Sequence, residues 1–183
     1  ACRAATGYRR AIVTQTDQDI IIRIAAKGDG VTANGRHVAL TAPGDHIRAD
    51  GSIIPGPHHV EAPCTHFPSC GGCGLQQLDE EALAEFVSDR VTGALAGQGV
   101  EPLNILPPHV SPPRTRRRAS LRAARSGNRV TIGFAEEGSH KLIDLDMCEI
   151  LDPRLFAMLA PLRRLLVHIL PDRRAAHVRL SLV

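Results

Sequence analysis

Hydrophobic and polar positions change their period twice along this chain. Residues 1–19 carry neither a two-residue nor a 3.6-residue repeat and predict no regular element. From Ile20 short β-branched runs follow, at Ile20 to Ile24, Val38 to Leu40, His46 to Arg48 and Ser52 to Ile54. Gly28-Asp29-Gly30, Asn34-Gly35, Pro43-Gly44 and Asp50-Gly51 divide them as turns. Asn34-Gly35 suits a type I′ hairpin, whose two central residues need positive φ. Strands this short, joined this tightly, predict a small curled β-barrel over residues 20–56. Gly28, Gly30 and Gly35 miss the G-x-G-x-x-G spacing and no helix follows them, so they are turn residues rather than a phosphate loop. Pro55-Gly56-Pro57-His58-His59 reads as a linker.

Past the linker the period lengthens. Asp79 can cap a helix whose apolar positions Ala82, Leu83, Phe86, Val87, Val91, Ala94 and Leu95 recur near 3.6 and are expected in the core, with a stop at Gly97 or Gly99. Alternation returns at Ala119 to Ala123, Val130 to Phe134 and Lys141 to Leu145, with Ser126-Gly127-Asn128 turning the first pair. A helix from about Pro153 to Leu170 is expected to bury Leu155, Met158, Leu159, Leu162, Leu165, Leu166 and Ile169. Val178 to Val183 starts another strand, and its abrupt apolar end reads as a truncated chain. The pattern predicts an α+β protein: the barrel, then a mixed helix and strand domain over residues 63–183.

The 183 residues suffice for one medium domain or two small ones. The most apolar stretch, LFAMLAPLRRLLVHIL, is interrupted by Pro161, Arg163 and Arg164, so no membrane span is expected. The net charge of +3 says little, but its distribution says more. Between Glu101 and Glu136 there is no acid, while Arg114, Arg116, Arg117, Arg118, Arg122, Arg125 and Arg129 all fall there. Guanidinium suits bidentate phosphate contact, and Pro112-Pro113 sets an extended lead-in from which alternate side chains could form a row. With no Trp, one Tyr and four Phe, base stacking on aromatics is a small part of any nucleic-acid binding.

Four of the five cysteines form a constellation. Cys64, Cys70 and Cys73 lie in PCTHFPSCGGCG with C-x5-C-x2-C spacing, and Cys148 stands alone in DLDMCEIL. Four thiolates can hold zinc in a tetrahedron, or an iron–sulfur cubane whose larger core suits three ligands from one loop and a fourth from elsewhere. Gly71, Gly72 and Gly74 let the backbone fold tightly and turn N–H groups toward sulfur. Two disulfides would need an oxidising compartment, but no secretory signal is visible, and buried inert thiols remain a further alternative. Cys2 lies outside the set. His66 is a conceivable substitute ligand but reads as a loop residue, and His58 and His59 read as solvated.

The order of GDGV, APGD, CTHFPSCGGCGLQQL, SPPRTRRRASLR and IGFAEEGSHKLIDLDMCEIL resembles the N-terminal half of the bacterial RNA uracil-C5 methyltransferases, in particular the 23S ribosomal RNA branch, over about Ile20 to Val183. The resemblance implies that the barrel is an OB-like TRAM module that binds RNA. It implies that the next domain carries a 4Fe-4S cluster on Cys64, Cys70, Cys73 and Cys148. Arg114, Arg116, Arg117, Arg118 and Arg122 are then candidate RNA contacts. Gly74 and Thr115 depart from the family pattern, which commonly has glutamine and tyrosine there. The family's Rossmann-like domain, with S-adenosylmethionine and the catalytic cysteine and glutamate, is expected beyond Val183, so this chain alone is expected to be inactive.

Uracil C5 is a poor nucleophile: a thiolate must attack C6 before C5 takes a methyl group, and a base then removes the C5 proton. None of the cysteines here fits that attacking role. The expected whole is a cytoplasmic, monomeric protein acting on RNA, with 23S rRNA the implied partner. A zinc-stabilised RNA-binding module and an iron–sulfur electron carrier are the rivals.

Overall fold

The computed structural model describes residues 19–183. The unpatterned N-terminus up to residue 18, Cys2 included, lies outside the described residues. Five short strands come first: β1 (Ile21–Ile24), β2 (Gly30–Thr32), β3 (His37–Val38), β4 (His46–Ile47) and β5 (Ile53–Ile54). They form an antiparallel β1-β2-β3 sheet and a separate β4-β5 hairpin. Ile20 bridges His46, and Ile21 and Asp45 share a backbone bond of 2.9 Å, so the two sheets meet at one corner. Among the described residues no closed barrel forms, because strands of two to four residues run out of pairing partners before the sheet can close.

β2 was not legible in the sequence, since GVT lies between two glycine turn signals. The hairpin at Asn34-Gly35 forms, but by another route. Gly35 alone has positive φ, at 82°. Its N–H donates to Thr32 O at 2.9 Å and the Thr32 N–H donates to Arg36 O at 3.0 Å, so a three-residue loop ends in a glycine bulge. Asn34 supplies its side-chain oxygen, accepting from Thr32 Oγ1 and Arg36 N.

Helix α1 spans Glu80–Gly97 and is capped by Asp79, whose carboxylate accepts from Ala82 N at 2.8 Å. Its apolar stripe is mostly not core: only Ala82 is buried, while Val87 and Val91 are exposed. The helix touches the β-strand unit through its first turns, where Ala82 and Leu83 meet Ala42 and Leu78.

The larger core lies under β6 (Arg118–Ser126), β7 (Arg129–Gly133) and β8 (Ala175–Ser181), an antiparallel sheet in the order β7-β6-β8. Ser126 pairs with Arg129 across a two-residue turn at Gly127-Asn128. Ala119, Leu121, Ala123, Val130 and Ile132 face inward onto Leu159, Leu166 and Leu170. Each large apolar side chain buried there contributes about 1.5–3 kcal/mol. The long helix expected from Pro153 divides into α2 (Pro153–Ala157) and α3 (Leu159–Ile169) at Met158. Pro161 lacks the N–H that would bond back to Ala157, so the ladder breaks there. Met158, Leu165 and Ile169, expected inside, are exposed. Lys141 to Leu145 is not a regular strand, yet Ile143 N and Leu145 N donate to Phe134 O and Ile132 O at 2.9 and 3.0 Å, which lays the segment along β7. Among the described residues no helix is long and apolar enough to cross a membrane.

Candidate metal centre and nucleic-acid interface

The cysteine loop is docked rather than free. Cys70 N donates to His66 O at 2.9 Å and Phe67 N to Cys64 O at 3.1 Å, which closes the loop on itself. Gly71 N donates to Ala135 O at 2.9 Å and Glu137 N to Ser69 O at 3.1 Å, fixing it beside the chain that leaves β7. A Cβ on Gly71 would stand 2.8 Å from Ala135 O, and one on Gly72 2.3 Å from the Phe134 ring, so only glycine permits this approach.

Cys148 reaches the same place from the other side. The segment running along β7 continues to Asp146 and Met147; Thr65 Oγ1 donates to Met147 Sδ at 3.0 Å. His66 Nε2 lies 2.8 Å from Asp146 Oδ1 without hydrogen-bond alignment. His66 is thereby a loop-docking residue. His58 and His59, expected to be solvated, instead hold carboxylates: His58 Nδ1 is 2.9 Å from Asp79 and His59 Nδ1 2.7 Å from Asp45.

All four cysteines are free thiols, Cys64 and Cys70 buried, Cys73 and Cys148 half-buried. Burial pushes the Cys70 thiol up; a hydrogen bond from Gly72 pulls it down, and Cys64 and Cys148 push it up again. Cys73 is likewise raised by burial, eased by Gln76, and raised by Cys70, Cys64 and Cys148. Cys70 and Cys73 thus each feel Cys64 and Cys148. Gln76 Nε2 donates to Cys73 Sγ at 2.8 Å, a contact the sequence did not reveal, although a carboxamide three residues past a candidate ligand is the signal for one. Among the described residues no three His, Cys, Asp or Glu side chains gather closely enough to hold a single metal ion. The donor set suits iron–sulfur chemistry in kind, being all soft thiols with N–H groups directed at two of them.

The candidate RNA arginines divide by environment. Arg114 forks onto Glu149, with Nη2 to Oε1 at 2.8 Å and Nε to Oε2 at 3.1 Å, and this bond holds the Glu149 carboxyl below its usual value. Arg116 Nη1 donates to Gly72 O at 3.1 Å, and its guanidinium lies 5.9 Å from the Phe134 ring centroid. Arg117 Nη2 donates to Leu182 O at 3.4 Å. Arg118 and Arg122 point outward from β6, on the side opposite Ala119, Leu121 and Ala123.

These features define an α+β protein in which a cysteine-bearing loop is docked against the chain that leaves the larger antiparallel sheet. No family model matches the chain. It is 41% identical over 162 residues to an uncharacterized RNA methyltransferase of Zymomonas mobilis, covering 88% of this chain and 41% of that protein. It is 37% identical over 183 residues to one of Caulobacter vibrioides, covering 90% and 44%. It is also 34% identical over 139 residues to the 23S rRNA (uracil(1939)-C(5))-methyltransferase RlmD of Halomonas elongata, covering 74% and 29%. The chain belongs to this family of RNA methyltransferases. It spans about two-fifths of the length of the first two relatives.

Proposed function

We propose that this chain is the RNA-holding, cluster-carrying part of an S-adenosylmethionine-dependent 23S rRNA uracil-C5 methyltransferase. The observation that carries the proposal is the docking of the Cys64 to Cys73 loop, through Gly71 N to Ala135 O and Thr65 Oγ1 to Met147 Sδ, against the segment that carries Cys148, in a chain homologous to RNA methyltransferases. Cys64, Cys70, Cys73 and Cys148 would hold a 4Fe-4S cluster, which ties the loop to the segment after β7. When bound, the cluster supplies a covalent cross-link between segments distant in sequence. Methyl transfer itself moves no net electron, so its role is structural. The β1 to β5 unit would act as the TRAM-type RNA-binding module.

The target base must leave its stack before a thiolate can reach C6, and something must hold the flanking RNA while it does. Cationic side chains on this chain are suited to that task. The attacking thiolate, the base and the S-adenosylmethionine site are assigned to the part of the relatives' length that this chain does not span, and the isolated chain is expected to transfer no methyl group.

The test is an absorption spectrum of protein purified without oxygen, with iron and acid-labile sulfide counted on the same sample. About four of each per chain, with broad visible absorption, is the expected result. Colourless protein carrying one zinc would replace the cluster by a zinc-stabilised RNA-binding module.

A further inference from the structure

We infer that the outer face of the β7-β6-β8 sheet is the phosphate-contacting track, and that it enlists Arg179 and His177 from β8 together with Arg118 and Arg122 from β6. This deepens the RNA-binding role proposed above and rests on it. Strand pairing carries the inference. Arg118 stands opposite Ser181, Ser120 opposite Arg179, and Arg122 opposite His177, so all six share the face turned away from Leu121 and Ala123. Arg179 therefore projects between Arg118 and Arg122, one strand across, at diagonal separations of roughly 7–8 Å. Neither Arg179 nor His177 belongs to the arginine run that the sequence singles out.

Three further observations point to a polyanion. The side chains of Arg118, Arg122, Arg179 and His177 make no hydrogen bond or ion pair with any described residue, unlike Arg114 with Glu149 and Arg163 with Asp144. The three strands contain no Asp or Glu, and the one carboxylate that meets this face, Asp144, is taken up at its β7 edge by Arg129 at 3.3 Å. Between the cations sit Ser120, Ala124, Thr131, Ala175 and Ser181, small residues of which three offer hydroxyl donors. The face runs into an open cleft lined by Arg116, Arg117, Arg118 and Ser181. A hydroxyl-bearing, arginine-rich surface without aromatics fits the sugar–phosphate backbone rather than base faces. An acidic protein surface would also meet the charge, but it would not give the counterion-release signature of a nucleic acid.

The experiment measures binding of a labelled single-stranded RNA to this 183-residue chain across a salt series, for wild type, for R118A/R122A/R179A, and for R90A/R154A/R164A. The second triple removes the same charge from helix positions off the sheet face. Three lost phosphate contacts should flatten the slope of log affinity against log salt by about 2, at roughly 0.7 per contact. The helix triple should leave the slope within about 0.7 of wild type. Should the sheet triple fail to fold, R179Q alone, at an exposed position, should still flatten the slope by about 0.7. Wild type that binds RNA with a slope unaffected by either sheet-face variant overturns the track and leaves the RNA-binding role standing. Wild type that binds no RNA overturns both.

Discussion

The Arg116 guanidinium donates to the carbonyl of Gly72 at 3.1 Å, joining the segment that leads into β6 to the middle of the cysteine loop. The same group donates through Nε to Arg118 O at 3.1 Å and lies over Phe134, whose ring also excludes any side chain at Gly72. Arg116 is thus a clasp before it is a candidate RNA contact. Arg116→Ala should lower the unfolding free energy by about 1–2 kcal/mol and speed alkylation of Cys70 and Cys73 in metal-free protein. Arg116→Lys should not restore either property, since ammonium cannot fork or stack as guanidinium does. Alkylation rates identical to wild type would show that the loop does not depend on the clasp.

Much of this arrangement could be read from the chain. Asp79 is a helix cap because its short carboxylate reaches the free N–H of Ala82, a local event that sequence reports well. Alternation at Ala119, Leu121 and Ala123 marked the buried side of β6 for the same reason. Burial along α1 was not legible, because periodicity states which residues share a face and not whether anything covers it; Val87 and Val91 share theirs with solvent. The division of the arginines was hidden too. Glu149 lies 35 residues from Arg114, and Gly72 lies 44 from Arg116, so only the tertiary fold could tell clasps from free cations.

Cys148 supplies the most discriminating substitution. It reaches the loop only through the tertiary fold, so Cys148→Ser tests whether the remote thiol is a ligand. Protein purified without oxygen should lose most of its iron in Cys148→Ser and in Cys64→Ser, while Cys2→Ser keeps about four per chain. Iron content unchanged in Cys148→Ser would remove it from the ligand set.

Asp45 is fully buried and ties three segments together. Oδ2 accepts from Ala42 N at 2.7 Å and meets His59 Nδ1 at 2.7 Å, while Oδ1 accepts from Gly56 N at 2.7 Å. Gly56 can approach because it has no side chain; a Cβ there would stand 2.3 Å from the Gly44 carbonyl carbon. Asp45→Ala strands those donors in the interior and should cost about 3 kcal/mol in urea unfolding. Gly56→Ala should destabilise as well, by forcing the linker off the turn. A loss under about 0.5 kcal/mol for Asp45→Ala would mean that water replaces the carboxylate.

His58 and Asp79 couple the linker to helix α1, and the sign of their pH dependence follows from opposite shifts. The hydrogen bond to Asp79 raises the His58 pKa above its ordinary 6.5, with Glu81 and Glu85 adding to the field. Asp79 is lowered from 3.8, first by the Ala82 N–H it caps and then by His58. Folding therefore favours protonated His58, so its contribution is complete below pH 6.5 and is lost as pH rises through the higher folded value. The Asp79 contribution is complete above 3.8 and is lost as pH falls through the lower folded value. Both are present together between those limits, on the mildly acidic side of neutrality. An NMR titration of the His58 ring should give a midpoint above 6.5 that returns toward it in Asp79→Asn. A wild-type midpoint at or below 6.5 would mean that the linker is not held to the helix by this pair.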